Sequence, residues 1–198
     1  MEHVTIGVVI DLGLPSGTKW ASCNVGATKP EELGGYYAWG EIEEQEMKWY
    51  HWSSYFADML AYPEDPKDVG MEISGTGYDV AHMKWGGDWR MPTRAQCQEL
   101  IDNCTTEQTT LNGVNGVRFT SNINGNSIFL PAAGCFHHRW QARRSSICYW
   151  ASTRFSAGDE WRFAFCMNNS PFLKKTNEVR MTRRFYRYRG MSVRPVTK

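Results

Sequence analysis

The pattern of apolar and polar positions predicts mainly short β-strands. Residues 4–10 are rich in β-branched side chains, which favour extended backbone. In residues 161–166 bulky aromatic side chains alternate with Arg162, Ala164 and Cys166, which predicts a strand with these three residues on one face. Further extended segments are predicted at 19–21, 117–120, 127–130 and 191–196, and Asn-Gly pairs at 112–113, 115–116 and 124–125 predict the turns between strands.

One helix is predicted clearly, over residues 93–103. Thr93 followed by Gln96 matches a capping box. Apolar positions recur behind it with helical spacing, at Cys97, Leu100, Ile101 and Cys104. This stripe predicts a buried face, so we expect Cys97 and Cys104 to fill the core rather than to react.

A second, shorter helix is predicted at residues 28–33. Pro30 suits a first turn, acidic residues follow it, and Gly34 would end the helix. With the strands, these helices predict an α+β domain spanning residues 1–198. Residues 41–78 mix acidic and aromatic side chains without a clear period and are interpreted as a long insertion.

Charge is divided unevenly along the chain. Residues 1–133 hold 8 Lys/Arg and 18 Asp/Glu, a formal charge of −10, whereas residues 134–198 hold 14 Lys/Arg and 3 Asp/Glu, a formal charge of +11. A basic C-terminal third favours an anionic partner. The alternative is that the acidic and basic parts face each other within one fold. The longest apolar runs have five residues, at 147–151 and 163–167, so we expect no membrane span.

Catalytic and metal-binding signals are weak. The six cysteines contain no CxxC pair and match no zinc spacing, and we expect most of them to be reduced thiols. His137 and His138 are adjacent, so on a strand they point to opposite faces and do not make a metal site by themselves. We therefore predict no catalytic residue, no metal and no cofactor. The N-terminus has no basic, apolar leader, so it indicates no secretory signal.

Several ordered motifs together resemble a known family. They are Asp11-Leu-Gly-Leu-Pro-Ser-Gly-Thr-Lys-Trp20, Tyr37-Ala-Trp-Gly-Glu41, Trp85-Gly-Gly-Asp-Trp-Arg-Met-Pro-Thr93, Gly125-Asn-Ser-Ile-Phe-Leu-Pro-Ala-Ala-Gly134 and Gly190-Met-Ser-Val-Arg-Pro-Val196. In this order they resemble the Fibrobacter major paralogous domain of Bacteroidetes. The resemblance implies a C-type lectin-like fold with a small antiparallel sheet, two helices, long loops and adjacent termini.

A second resemblance concerns the C-terminal region, 135–196. Proteins with this ending are frequent targets of diversity-generating retroelements, which randomise adenines in a copied template. Scattered Arg, Thr, Phe, Tyr, Cys, His, Ser and Ala residues result where the template carries Asn codons. The run Arg180 to Arg189 consists of such types apart from Met181, whereas Trp140, Lys174 and Lys175 do not fit the pattern.

The resemblance implies a non-catalytic ligand-binding protein with a variable C-terminal surface, shown on a cell surface or on a phage tail. Its ligand would be an acidic protein or glycan, because arginine and aromatic side chains dominate the surface. No nucleic-acid motif is present, so nucleic acid is not the expected partner. The predicted ligand-binding residues are Phe136, His137, His138, Arg139, Cys148, Arg154, Arg162, Ala164, Cys166, Arg180, Thr182, Arg183, Arg184, Phe185, Tyr186, Tyr188 and Arg189.

Two related activities are not carried over. Calcium-dependent lectins use Glu-Pro-Asn or Gln-Pro-Asp and Trp-Asn-Asp triplets, and the chain has none of these. Formylglycine-generating enzymes share the fold and use a paired-cysteine copper site. Cys135, Cys148 and Cys166 do not reproduce its sequence segment. An oxidoreductase of that type remains the alternative function.

Overall fold

The fold is a mixed α+β arrangement of short antiparallel strands with few helices, which confirms the predicted class. The computed structural model describes residues 7–44, 69–137, 139–141, 146–154, 161–167, 179–187 and 189–198. Most of the insertion predicted at 41–78 therefore lies outside the described residues. Within the described ranges, no helix is long and apolar enough to cross a membrane.

Two helices and twelve strands are described. The helices are α1 (Val80–Trp85) and α2 (Arg94–Asn103). The strands are β1 (Val9–Ile10), β2 (Lys19–Ala21), β3 (Cys104–Leu111), β4 (Val114–Ser121), β5 (Ser127–Pro131), β6 (Cys135–His137), β7 (Arg139–Gln141), β8 (Cys148–Arg154), β9 (Trp161–Met167), β10 (Val179–Tyr186), β11 (Gly190–Met191) and β12 (Val196–Thr197).

The described strands form four three-stranded sheets in which every strand pair is antiparallel. Their orders are β1-β2-β12, β3-β4-β5, β11-β6-β7 and β10-β9-β8. In the first sheet β2 lies between strands from the two ends of the chain. Trp20 on β2 pairs with Ile10 on one side and with Val196 on the other.

The capping box predicted at the start of α2 is present. Thr93 Oγ1 accepts a hydrogen bond from the Gln96 backbone N–H at 3.2 Å, and Gln96 Oε1 accepts one from the Thr93 N–H at 2.9 Å. Cys97 and Leu100 are fully buried, as the helical spacing predicts. Cys104 is buried as well, but it begins strand β3 rather than ending the helix.

Two buried clusters fill the interior. The first packs α2 residues Cys97 and Leu100 against Trp20, Tyr149 and neighbouring strands. The second surrounds Trp150 and includes Tyr37 and Met191. Tyr149 and Trp150 are adjacent on β8 and belong to different clusters, because successive side chains of a strand point to opposite faces. The prediction that Trp150 is a core residue is confirmed.

The helix predicted at 28–33 is wrong. The segment is a single turn, in which the Glu32 carboxylate accepts hydrogen bonds from the backbone N–H groups of Thr28 and Lys29. Gly34 follows with φ of 69°, a left-handed conformation that suits glycine. The Glu32 carboxylate thus holds a single turn together, and the chain changes direction at Gly34 instead of continuing as a helix.

Some predicted strands and turns also differ. The turn predicted at 115–116 is wrong, because both residues lie within β4 opposite Thr110 and Thr109. Gly116 is needed there for another reason: a Cβ would overlap the Phe129 ring and the Leu130 carbonyl oxygen. The strand predicted at 191–196 is interrupted: it forms the strands β11 and β12 at its two ends, with an isolated bridge from Ser192 to Tyr149.

Candidate functional site

The sheet β8-β9-β10 aligns the positions that the sequence predicts to bind ligand. Cys166 lies between Cys148 and Arg180, and Ala164 lies between Trp150 and Thr182. Arg162 lies between Arg154 and Phe185, after an irregularity in each neighbouring pairing. Directly opposite positions of an antiparallel pair share one face of the sheet. The backbone therefore brings the predicted positions of three strands onto a common face.

Helix α2 covers the other face of this sheet. Val179 and Met181 on β10 pack into the same cluster as Cys97 and Leu100 on α2. Because positions alternate along a strand, Arg180 and Thr182 occupy the face directed away from α2. That assignment places the predicted ligand face opposite the helix.

A second segment of predicted residues lies on the sheet β11-β6-β7. Phe136 on β6 pairs with Gly190 on β11 and with Trp140 on β7. The segment around Gly190 is fixed to the scaffold, because Tyr37 and Met191 exchange two backbone hydrogen bonds of 3.0 Å. The Trp39 N–H also donates to the Arg187 carbonyl oxygen at 2.7 Å. The hairpin β6-β7 and residues 187–191 are thus neighbours.

The two ends of the segment 135–147, which carries this hairpin, meet at one place, here called the neck. There the Gly134 N–H donates to the Ser146 carbonyl oxygen at 2.9 Å, and the Cys135 thiol is hydrogen-bonded to the Cys148 thiol. Arg189 Nη1 donates to Cys135 Sγ at 3.9 Å, and the Ser146 hydroxyl lies 3.9 Å from Cys148 Sγ. Both cysteines are buried.

The hydrogen bond with Cys148 and burial of the thiol raise the pKa of Cys135. The Arg189 guanidinium acts in the opposite direction, because a nearby cation favours the thiolate. The first two effects prevail, so Cys135 is a protonated thiol at neutral pH. The neck is therefore held by a neutral contact between two thiols.

A buried polar network supports strand β8 from behind. The Tyr149 hydroxyl donates to the Pro131 carbonyl oxygen at 2.9 Å and accepts from Asn24 Nδ2 at 3.1 Å. Asn24 Oδ1 in turn accepts from Arg194 Nε at 2.8 Å. Arg194 also donates to the carbonyl oxygens of three other residues: Ala21 at 3.0 Å, Ser22 at 2.8 Å and Phe129 at 3.0 Å.

Arg194 is a fully buried cation whose described partners are neutral oxygens. Burial lowers the pKa of its guanidinium, since the charged form loses solvation. Sequence reasoning missed its role and counted it only as part of the basic C-terminal third. The signal that could have found it is its place between Val193, Pro195 and Val196, within a predicted core strand.

Comparisons with protein-family models, with curated proteins and with solved structures each find no match. The likeness to the Fibrobacter major paralogous domain thus rests on the motifs quoted above. The site is interpreted from its own geometry.

The structure buries two of the predicted ligand-binding residues. Cys148 is 3% exposed and Arg154 is 7% exposed, so neither side chain lies on the outer surface where the sequence interpretation put it. Cys148 contributes to the neck, and the Arg154 backbone N–H donates to the Met71 carbonyl oxygen at 2.9 Å. Contact of these two residues with a ligand stays a prediction.

Most other predicted residues are placed by their strand positions. Arg189 is half-buried at the neck, and His138 and Tyr188 lie outside the described residues. The strands fix the backbone positions of Phe136, His137, Arg139, Arg162, Ala164, Cys166, Arg180, Thr182, Arg183, Arg184, Phe185 and Tyr186. These positions divide between the sheet β8-β9-β10 and the sheet β11-β6-β7.

The chemistry of the described residues is that of a scaffold. Across the ranges that the structure describes, no three His, Cys, Asp or Glu side chains come close enough to hold a metal ion. The buried carboxylate of Asp79 accepts backbone hydrogen bonds from Gly75, Ala81, His82 and Met91, so it organises the loop around α1.

Proposed function

We propose that this protein is a non-catalytic ligand-binding protein whose C-terminal region, 135–196, forms the binding surface. The register of β8-β9-β10 supports the proposal most directly. It aligns positions 162, 164 and 166 with positions 180, 182 and 185 on one face, although these two groups are well separated in sequence. A continuous face built from two strands is what a binding surface requires.

The chemistry of that region favours an acidic ligand. Residues 134–198 carry a formal charge of +11, and their arginines are interleaved with aromatic residues. Arginine offers planar paired donors to carboxylate and sulfate groups, and aromatic side chains add apolar area. An acidic glycan or an acidic protein surface could both accept hydrogen bonds from the arginines and pack against the aromatic side chains.

The proposal includes a C-type lectin-like fold and diversification of region 135–196 by a retroelement. In the described structure buried residues bracket this region, with residues 128–131 of β5 and Ala133 buried before it and Val193 and Val196 buried at its end. Such bracketing allows the residues between to vary while the core stays constant. We place the protein on a cell surface or on a phage virion.

The test is a pair of double variants with equal loss of charge. Arg162→Ser with Arg180→Ser alters the proposed face, whereas Arg90→Ser with Arg118→Ser removes two arginines elsewhere. Binding is measured to immobilised heparin, polysialic acid and polyglutamate, with neutral dextran as background. The surface variant is expected to bind at least one acidic probe about tenfold more weakly or worse, and the control variant to bind normally.

Thermal unfolding of the same variants separates binding from structure. Substitutions on a ligand surface should shift the melting temperature by no more than about 2 °C, because surface changes fall within about 0.5 kcal/mol. A fall of many degrees would show that Arg162 and Arg180 stabilise the acidic scaffold. Equal binding by both double variants would also contradict the proposal.

The neck keeps the alternative oxidoreductase open to a direct test. Two thiols in contact provide soft ligands of the kind that copper(I) prefers. The Arg189 guanidinium beside Cys135 disfavours a further cation at the same place. Titration of the protein with copper(I) decides the matter. Stoichiometric binding that is lost in Cys148→Ala would overturn the non-catalytic proposal.

A further inference from the structure

The neck contains two cysteines, Cys135 and Cys148, which lie at opposite ends of one segment of the chain and are neighbours in the fold. Cys135 begins β6 and Cys148 begins β8, and both strands are bridged to the segment 190–192. Met191 pairs with Cys135, and Ser192 is bridged to Tyr149, the residue after Cys148. The scaffold thus holds both cysteines in place, independently of the loop between them.

We propose that Cys135 and Cys148 form a reversible disulfide that closes the neck of the segment 135–147. Both cysteines belong to one buried cluster, and the hydrogen bond of 2.9 Å from the Gly134 N–H to the Ser146 carbonyl oxygen holds together the two chain segments that carry them, so the two thiols can meet. The proposal goes beyond ligand binding, and its failure would leave the proposed function unchanged.

The chemistry is a thiol–disulfide exchange with a small disulfide, such as oxidised glutathione. One protein thiol loses its proton and attacks a sulfur of the small disulfide, whose S–S bond breaks and releases one small thiol. The second protein thiolate then attacks the mixed disulfide and releases the other small thiol. The protein pair is oxidised by two electrons, and the small disulfide is reduced to two thiols.

The surroundings of the pair favour a slow, structural disulfide over a catalytic one. Both thiols are about 3% exposed, so an oxidant reaches them only when the neck opens. Arg189 lies on the Cys135 side, which makes Cys135 the residue whose thiolate is electrostatically favoured.

A competing pairing exists and must be distinguished. Cys148 lies directly opposite Cys166 in the pairing of β8 with β9, so a cross-strand disulfide is the main alternative. Trypsin separates the two possibilities, because it places Cys135, Cys148 and Cys166 in the peptides 119–139, 145–154 and 163–174.

The experiment equilibrates the full chain with mixtures of oxidised and reduced glutathione, blocks remaining thiols and maps the peptides by mass spectrometry. The proposal predicts a linked pair of peptides 119–139 and 145–154, which reduction separates, and a loss of two of the six thiols. A link between 145–154 and 163–174, or retention of all six thiols, would overturn it.

Thermal unfolding provides a second readout that does not depend on peptide mapping. Oxidation of the wild-type chain should raise the melting temperature by roughly 5–10 °C, because the bond closes a 14-residue loop in the unfolded chain. Cys148→Ala should lose this increase, and Cys104→Ala, which alters a buried cysteine away from the neck, should retain it. An equal increase in both variants would contradict the assignment.

Discussion

Replacement of Arg194 by methionine tests whether one buried cation connects the two ends of the chain. Its guanidinium makes four hydrogen bonds of 2.8–3.0 Å, to Ala21, Ser22, Asn24 and Phe129. Methionine retains much of the volume but donates none of these bonds. Arg194→Met therefore leaves four buried oxygens without this donor, and each such loss costs about 1–3 kcal/mol.

The total cost of the four lost hydrogen bonds is reduced, because the variant also removes a buried charge. The variant no longer buries a charge, and the solvation recovered in this way offsets part of the loss. We therefore expect a net destabilisation of about 3–5 kcal/mol. Arg194→Lys should also destabilise, since an ammonium group has three donors and lacks the planar fork that reaches two separate segments, residues 21–24 and residue 129.

Urea unfolding, followed by tryptophan fluorescence, measures the free energy of unfolding of each variant. Arg118→Met is the matched control, because Arg118 is 41% exposed and pairs only at 3.3 Å with the exposed carboxylate of Glu107. It should change stability by less than about 0.5 kcal/mol. If Arg194→Met lowered the free energy of unfolding by less than about 1 kcal/mol, and the dependence of that free energy on urea concentration were unaltered, the reasoning would be refuted.

Two further predictions concern the core. Leu100→Ala should lower the free energy of unfolding by about 2–5 kcal/mol, because Leu100 is fully buried between α2 and the strands, and a loss below about 0.5 kcal/mol in urea unfolding would contradict that placement. Burial raises the pKa of Cys104 from its ordinary 9.0 to about 11, so the thiol is favoured in the folded state. This contribution is complete below pH 9 and is lost as pH rises through 11, so the urea midpoint should fall over that range, and less steeply in Cys104→Val.

The sequence predicted those elements whose stabilising contacts are local. The capping box of α2 joins residues three apart, and the turn at 112–113 needs left-handed backbone that Asn112 and Gly113 supply. Helix α1 was missed because it has only six residues, and its N-cap, Asp79, also serves the distant Met91 N–H. A short helix of that kind is fixed by contacts beyond its own segment.

The sequence also predicted the candidate site only as far as local contacts determine it. Alternation along 161–166 predicted a shared face for Arg162, Ala164 and Cys166, but nothing in the sequence indicated which strands lie beside it. Likewise, the sequence identifies Cys148 only as one of several residues of a type that diversification can produce. Its contact with Cys135 depends on how β6 and β8 pair with the segment 190–192. Pairings between distant strands carry no local signal.

The pairing of the C-terminal strand β12 with β2 has a consequence for synthesis on the ribosome. β12 pairs with β2, Arg90 exchanges backbone hydrogen bonds with Val196, and the Ala21 N–H donates to the Pro195 carbonyl oxygen. These contacts cannot form before residue 196 has been translated and has left the exit tunnel. Translation of the about 175 residues between Trp20 and Val196 takes roughly 10–35 seconds. During that time Trp20 lacks one of its strand partners and is accessible to chaperones and proteases. This part of the fold is therefore completed only after residue 196 has been made, and a nascent chain stalled within the region 135–196 would be a substrate for quality control.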